Sequence, residues 1–165
     1  MITFSGSTFC AVASLALMGR LDAIPKGRRR ELLVKWCLDR QGAGFHGRPH
    51  KPNDTCYSWW IGASLTILGG EFVFFLFELN SLAYHWTKPE GNLAFNLSCS
   101  SKFGGFSKEP ESFPDIMHSY FGLAGVSLMG EESLQRIYPL WGLTTRAAAK
   151  SYSPPKTLEE WLSER

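Results

Sequence analysis

Three stretches of the chain are almost wholly small and apolar, and they resemble one another. They are STFCAVASLALMG (Ser7 to Gly19), YSWWIGASLTILG (Tyr57 to Gly69) and HSYFGLAGVSLMG (His118 to Gly130). Aligned, they superpose Ala13, Ala63 and Ala124, and also Gly19, Gly69 and Gly130, with offsets of 50 and then 61 residues. Apolarity on nearly every side predicts helices buried on most sides, and the small residues let neighbouring helices approach closely. The terminal glycines read as C-caps, because glycine takes the left-handed conformation at little cost. Asp54 and Asp115 stand three residues before Tyr57 and His118, where a carboxylate caps a helix N-terminus and places a charge there.

More polar segments separate the three. Lys26 to Gln41 carries Leu32, Leu33, Trp36 and Leu38 among arginines and lysines, which predicts an amphipathic helix. Asn92 to Ser101 is predicted to end its counterpart. Matching glycine-rich loops follow, Gly42 to Phe45 and Phe103 to Phe106. The unit is therefore outer helix, loop, inner helix, and units of this length belong to stacked or ring-like α-α arrays. Period-two alternation is scarce, so the fold class is all-α, in a single domain over residues 1–165. Residues 71–93 form an atypical insert rich in phenylalanine (Phe72, Phe74, Phe75, Phe77), and residues 147–165 form a C-terminal tail.

Composition narrows the class. The 165 residues are 44% hydrophobic and 19% charged, which excludes a disordered chain and leaves room for a real core. A net charge of +2 and a pI near 8.4 do not call for nucleic acid. The one basic run, Lys26 to Arg30, reads as a solvated helix face. Four cysteines at wide spacing form no CxxC pair and no disulfide framework, which predicts reduced thiols and a cytoplasmic chain. No basic segment leads into an apolar one at the N-terminus, so no signal peptide is expected. The run Glu71 to Phe77 is too short to span a bilayer.

The candidate chemistry sits at the starts of the inner helices. Asp54 and Cys56 precede the second, and His118 opens the third. Taken singly, Cys56 is an ordinary core thiol, Asp54 an N-cap and His118 a hydrogen-bonded core histidine. The repeat places all three at the same end of the array, where carboxylate, thiolate and imidazole make a sound zinc ligand set with a fourth position open. Arg48 and Lys51 lie just upstream, with Lys108 in the echoing loop; they are surface cations or an anion clamp. Trp59, Trp60, Tyr120 and Phe121 are core or the wall of an apolar pocket. Zinc, anion clamp and apolar pocket together suggest alkyl transfer to sulfur from a lipid diphosphate.

These motifs resemble a known family. GRPHKPNDTCYSWW, GGFSKEP and PDIMHSYFGLAGVSLMGEE together look like the β subunit of protein prenyltransferases, of the type I geranylgeranyl kind. STFCAVASLALMG fits the preceding repeat of that family, and Leu143 to Arg146 its C-terminal segment. The resemblance implies an α-α toroid (α/α barrel) of helical-hairpin repeats, here incomplete, since the family carries about as much chain again before this point. It implies one zinc ion per chain on Asp54, Cys56 and His118, holding the cysteine of a C-terminal CaaX (CaaL) protein as thiolate for attack on geranylgeranyl diphosphate. It implies that Arg48, Lys51 and Tyr57 bind the diphosphate and that Trp60 lines the isoprenoid pocket. Lys108 stands where the farnesyl enzyme has a magnesium-associated aspartate, which implies that magnesium is not required. The implied partner is a prenyltransferase α subunit, with no nucleic acid and no transmembrane segment. The alternatives are a truncated non-catalytic isoform that binds zinc or the α subunit, and the Rab geranylgeranyltransferase or farnesyltransferase β subunit. One departure is Phe4, at the place of a diphosphate-binding histidine in the family.

Overall fold

The computed structural model of the chain describes residues 4–70 and 87–151. Six helices are present among them: α1 (Ser5–Leu17), α2 (Arg28–Leu38), α3 (Tyr57–Gly70), α4 (Pro89–Ser98), α5 (Ile116–Leu128) and α6 (Thr145–Ser151). A 3-10 turn covers Leu21–Ala23, and β1 (Ile137–Tyr138) pairs antiparallel with β2 (Leu143–Thr144). The three apolar segments are α1, α3 and α5, and the two outer helices are α2 and α4, as the repeat predicts. Most of the expected insert, residues 71–86, lies outside the described residues, as does the tail beyond residue 151. Helix α6 occupies the start of that tail.

Helix α3 is the centre of the array, packed against α1 on one side and α5 on the other, with α2 on its outer face. Small residues make this possible. At Gly125 a Cβ would lie 2.4 Å from the Cβ of Ser58 and 2.8 Å from its backbone carbon, so α5 meets α3 almost backbone to backbone. Trp59, Ala63 and Ala124 are buried at this seam. Val12, Ala13, Ile67 and Leu68 fill the seam between α1 and α3, and Cys37, Phe45, Ile61 and Leu65 the layer under α2.

Two sequence expectations need correction. Gly19 and Gly130 do lie just beyond helix ends with φ of +66° and +86°, but Gly69 lies within α3, which continues to Gly70. Arg30 is not part of a solvated face. It is buried, and its Nη2 donates to the carbonyls of Leu21 and Ile24 at 3.0 and 2.7 Å, tying α2 to the turn after α1. A guanidinium is well suited to this because it offers several donors in one plane.

The outer helix α4 is held by buried polar groups as well as by apolar packing. Ser58 Oγ on α3 lies within hydrogen-bonding distance of Asn92 Oδ1 (3.0 Å), and Asn96 Nδ2 donates to Ser58 Oγ (2.7 Å) and to Asn92 O (2.9 Å). All three residues are fully buried. Removing one partner from such a network strands the others without water. Ser58→Ala is therefore expected to destabilise the fold by about 1–3 kcal/mol in urea unfolding, although it deletes a single oxygen.

A candidate metal centre at the N-terminal ends of the inner helices

Two loops, one before α3 and one before α5, are folded by the same device and then joined. In the first, Asp54 N donates to Phe45 O at 2.9 Å. Gly47 O accepts from both the N–H (3.0 Å) and the hydroxyl (2.9 Å) of Ser5, the first residue of α1. Gly47 must be glycine, since a Cβ there would lie 2.3 Å from the Tyr57 ring. In the second loop, Asp115 N donates to Phe106 O at 3.3 Å, and Ser107 N and Oγ both donate to Cys99 O. The joint is Thr55, which is fully buried. Its N–H donates to Lys108 O at 3.0 Å and its hydroxyl to Ser107 O at 2.8 Å.

This joint brings the two halves of the candidate site together. One ligand atom each from Asp54, Cys56 and His118 lies within 4.8 Å of the other two. His118 Nε2 is 3.3 Å from Asp54 Oδ1. Asp54 was expected to cap α3; its Oδ1 instead accepts from Cys56 N at 3.0 Å, a turn just before the helix. Asp115 does cap α5, with Oδ1 accepting from His118 N at 2.9 Å. It also does what the sequence reading missed: its Oδ2 lies 2.5 Å from His118 Nδ1. With the Nδ1 proton directed at Asp115, the Nε2 lone pair is left toward Asp54 and Cys56. A carboxylate behind a ligating histidine fixes the tautomer and raises its basicity. The Asp-x-x-His spacing at a helix start was the available signal, because a cap and its i+3 neighbour share one face.

The electrostatics agree with the geometry. Asp115 is held below its ordinary pKa, first by the His118 N–H and then by its ring. Burial pushes the Cys56 thiol upward, and the adjacent Asp54 adds to this. A buried thiol beside a carboxylate lacks a cation, and a divalent ion would supply one. The donor set fits zinc: nitrogen, sulfur and oxygen, with a second-sphere carboxylate in place. Tetrahedral bonds of ~2.0–2.3 Å put ligand atoms roughly 3.3–3.8 Å apart, so the three donors need only draw in by about 1 Å. Three donors leave a fourth position for a substrate atom.

Arg48, Lys51 and Lys108 are exposed, and among the described residues none forms an ion pair. Tyr57 is buried, and its phenol is pushed up to about 12 by that burial and by the acidic groups of Cys56 and Asp54, with Arg48 opposing them. Phe4 meets the Tyr57 ring edge-on at 6.0 Å. Trp60 is half-buried between Phe9 (5.3 Å) of α1 and Phe121 (4.2 Å) of α5, so three inner helices contribute to one aromatic layer. Trp59 and Tyr120, also weighed as pocket residues, diverge: Trp59 is buried core, while Tyr120 is 44% exposed.

Thiol chemistry offers a direct check on this environment. Cys37, Cys56 and Cys99 are buried with pKa values pushed upward, Cys37 to about 12, whereas Cys10 is exposed. The thiolate is the nucleophile, so a raised pKa means less of it at a given pH. The native metal-free chain should label with iodoacetamide at Cys10 alone at pH 8, and at all four thiols in denaturant. Raising the pH to 9 should still not recruit Cys37 or Cys56, as peptide mass mapping would show.

Comparison with known proteins agrees with the helical array. The family described as the prenyltransferase alpha-alpha toroid domain matches residues 3–143. The geranylgeranyl transferase type-1 subunit beta of Arabidopsis thaliana is 41% identical over 152 residues, which cover 87% of this chain and 37% of the relative. The subunit of the same name from Dictyostelium discoideum is 38% identical over 147 residues, covering 89% and 38%. Among solved structures, Candida albicans protein geranylgeranyltransferase-I complexed with GGPP superposes with a TM-score of 0.72 at 28% identity, covering 93% of this chain and 44% of that one. The chain thus spans less than half the length of these relatives. Among the described residues, no helix is long and apolar enough to cross a membrane.

Proposed function

Because the chain belongs to the prenyltransferase α-α toroid family, we propose that it carries the metal and diphosphate site of a type I protein geranylgeranyltransferase β subunit. The reaction is transfer of a geranylgeranyl group from geranylgeranyl diphosphate to the cysteine of a C-terminal CaaL sequence, in the cytoplasm, with an α subunit as partner. One observation carries the reading: Asp54, Cys56 and His118 meet within 4.8 Å, with His118 oriented by Asp115. The similarity to β subunits of that name supports the substrate class.

Asp54, Cys56 and His118 would hold zinc. When bound, it supplies a Lewis acid that depresses the pKa of a substrate thiol at the open position. The protein's own groups do the rest. Asp115 keeps the His118 proton on Nδ1, so that Nε2 stays a donor. Arg48, Lys51 and Lys108 offset the charge of the departing diphosphate, and Lys108 does so as a fixed ammonium where magnesium would otherwise serve. Tyr57 stays protonated at neutral pH and can donate a hydrogen bond to that diphosphate. Trp60, with Phe9 and Phe121, excludes water from the isoprenoid chain.

The test is transfer of radiolabelled geranylgeranyl diphosphate to a CaaL peptide by the chain with an added α subunit and zinc, without magnesium. Transfer that disappears with Lys108→Ala supports the reading. A second reading rests on Phe4, which packs edge-on against Tyr57 where the family has a diphosphate-binding histidine: a non-catalytic form that binds zinc and the α subunit. Stoichiometric zinc without transfer would favour it, and no zinc under either condition would sink both.

A further inference from the structure

The two loops that carry the cations are fastened at the same point, by residues that the repeat makes equivalent. Ser5 and Thr55 are related by the 50-residue offset of the first two inner helices, and Gly47 and Lys108 by the 61-residue offset of the two loops. Ser5 N donates to Gly47 O, and Thr55 N donates to Lys108 O, each at 3.0 Å. One contact is thus made twice, and both donors are fully buried.

The hydroxyls of the same two residues add a second bond to each loop. Ser5 Oγ donates to Gly47 O at 2.9 Å, and Thr55 Oγ donates to Ser107 O at 2.8 Å. In each case the accepting carbonyl belongs to the residue just before a cation, Arg48 in one loop and Lys108 in the other. A carbonyl and the next residue's N–H share one rigid plane. Holding the first therefore sets the direction in which the cation leaves the backbone. The second loop is held from its far side as well, since Ser107 N and Oγ both donate to Cys99 O, at 2.9 and 3.1 Å. Arg48 and Lys108 are exposed, so burial does not aim their side chains. A group already aimed by its backbone gives up less freedom when it meets an anion.

We propose that Ser5 and Thr55 are positioning residues, Ser5 for Arg48 and Thr55 for Lys108, each setting one cation toward the diphosphate. This deepens the transferase reading and rests on the diphosphate role given there to the two cations.

The experiment measures binding of inorganic diphosphate to the 165-residue chain by calorimetry, without added metal, since zinc or magnesium would compete for the anion. Arg48→Ala and Lys108→Ala should each weaken binding about tenfold. Ser5→Ala and Thr55→Val keep the N–H bonds and remove only the hydroxyls, and each should weaken it about three- to tenfold. The losses should be paired. Thr55→Val should weaken binding no further in a Lys108→Ala chain and by its full factor in an Arg48→Ala chain, and Ser5→Ala should do the reverse. Thr55→Ser, which keeps both bonds, should bind as the parent does. So should Ser58→Ala, which also deletes a buried hydroxyl and lowers stability but touches neither loop's carbonyl. If Thr55→Val does not fold by circular dichroism, Ser107→Ala takes its place with the same expectation, because it loosens the same segment from the Cys99 side. An absent loss in either hydroxyl variant, or losses that are the same whichever cation remains, would overturn the inference and leave the role of the cations standing. Parent-like binding by Arg48→Ala and Lys108→Ala, or no binding by the parent, would overturn the diphosphate role and this inference with it.

Discussion

A Gly125→Ala chain is expected to melt about 4–8 °C below the parent, against the usual sign for such a change. In a helix interior alanine is better than glycine by up to about 1 kcal/mol. At Gly125 that gain is outweighed, because the new methyl would stand 2.4 Å from Ser58 Cβ, 2.8 Å from Ser58 carbon and 3.0 Å from Trp59 nitrogen. Two of these are backbone atoms and have no rotamer into which to retreat, so α3 and α5 must separate and loosen the packing of Trp59, Ala63 and Ala124. Overpacking of this kind costs about 3 kcal/mol, which leaves a net loss of roughly 2. At this chain length each kcal/mol moves the melting temperature by about 2–4 °C. The control is Gly6→Ala in α1, whose Cβ meets nothing closer than the Phe4 ring at 3.8 Å. It should hold or raise the melting temperature, and a fall equal to that of Gly125→Ala would show that the close seam is not the cause.

The second large effect is on zinc. Cys56→Ala and His118→Ala should each abolish stoichiometric zinc in dialysed protein, while Cys37→Ala and Cys99→Ala, which remove equally buried thiols outside the triad, should retain it. Asp115→Asn should fall between, weakening zinc about 10–100-fold, because it leaves the ligands and removes only the group that orients one of them. The pH dependence has a definite sign. Burial and Asp54 raise the Cys56 pKa, so the metal-free thiol is protonated at neutral pH and must lose that proton to ligate. Zinc uptake therefore releases a proton, and affinity should rise with pH from 6 to 8 in a competition titration with a chromophoric chelator. Zinc retained in full by Cys56→Ala would refute the ligand assignment.

The parts of this fold readable from sequence are those whose cause is periodic. Helices α1, α3 and α5 announce themselves because each is apolar nearly all round and three aligned copies make chance agreement improbable, although the burial this predicts holds for α3 and not for α5, where Ile116, Met117, Tyr120 and Leu123 are exposed. The clustering of Asp54, Cys56 and His118 was readable only through that repeat, since 62 positions separate Cys56 from His118 and nothing local connects them. What escaped depends on single contacts. Arg30 looks like its exposed neighbours Arg28 and Arg29 until the carbonyls of Leu21 and Ile24 are seen beneath it. Asn92 and Asn96 make α4 look solvated, whereas both are buried against a serine more than thirty residues away. Asp115 reads as a cap, which it is, but its second oxygen finds the histidine ring only because His118 is the third residue of the helix that it caps.

The Thr55 joint has a consequence for how the chain is made. Its two hydrogen bonds reach Ser107 and Lys108, and its neighbours Asp54 and Cys56 wait on His118. A ribosome adding roughly 5–20 residues per second needs several seconds to travel from Cys56 to His118. Through that interval the nascent chain exposes a thiol and a carboxylate without the imidazole that joins them in the folded cluster. The meeting of Asp54, Cys56 and His118 and the docking of α3 on α5 therefore fall at one late moment of synthesis, and a chain stalled short of residue 118 emerges with an unfinished seam and an incomplete cluster.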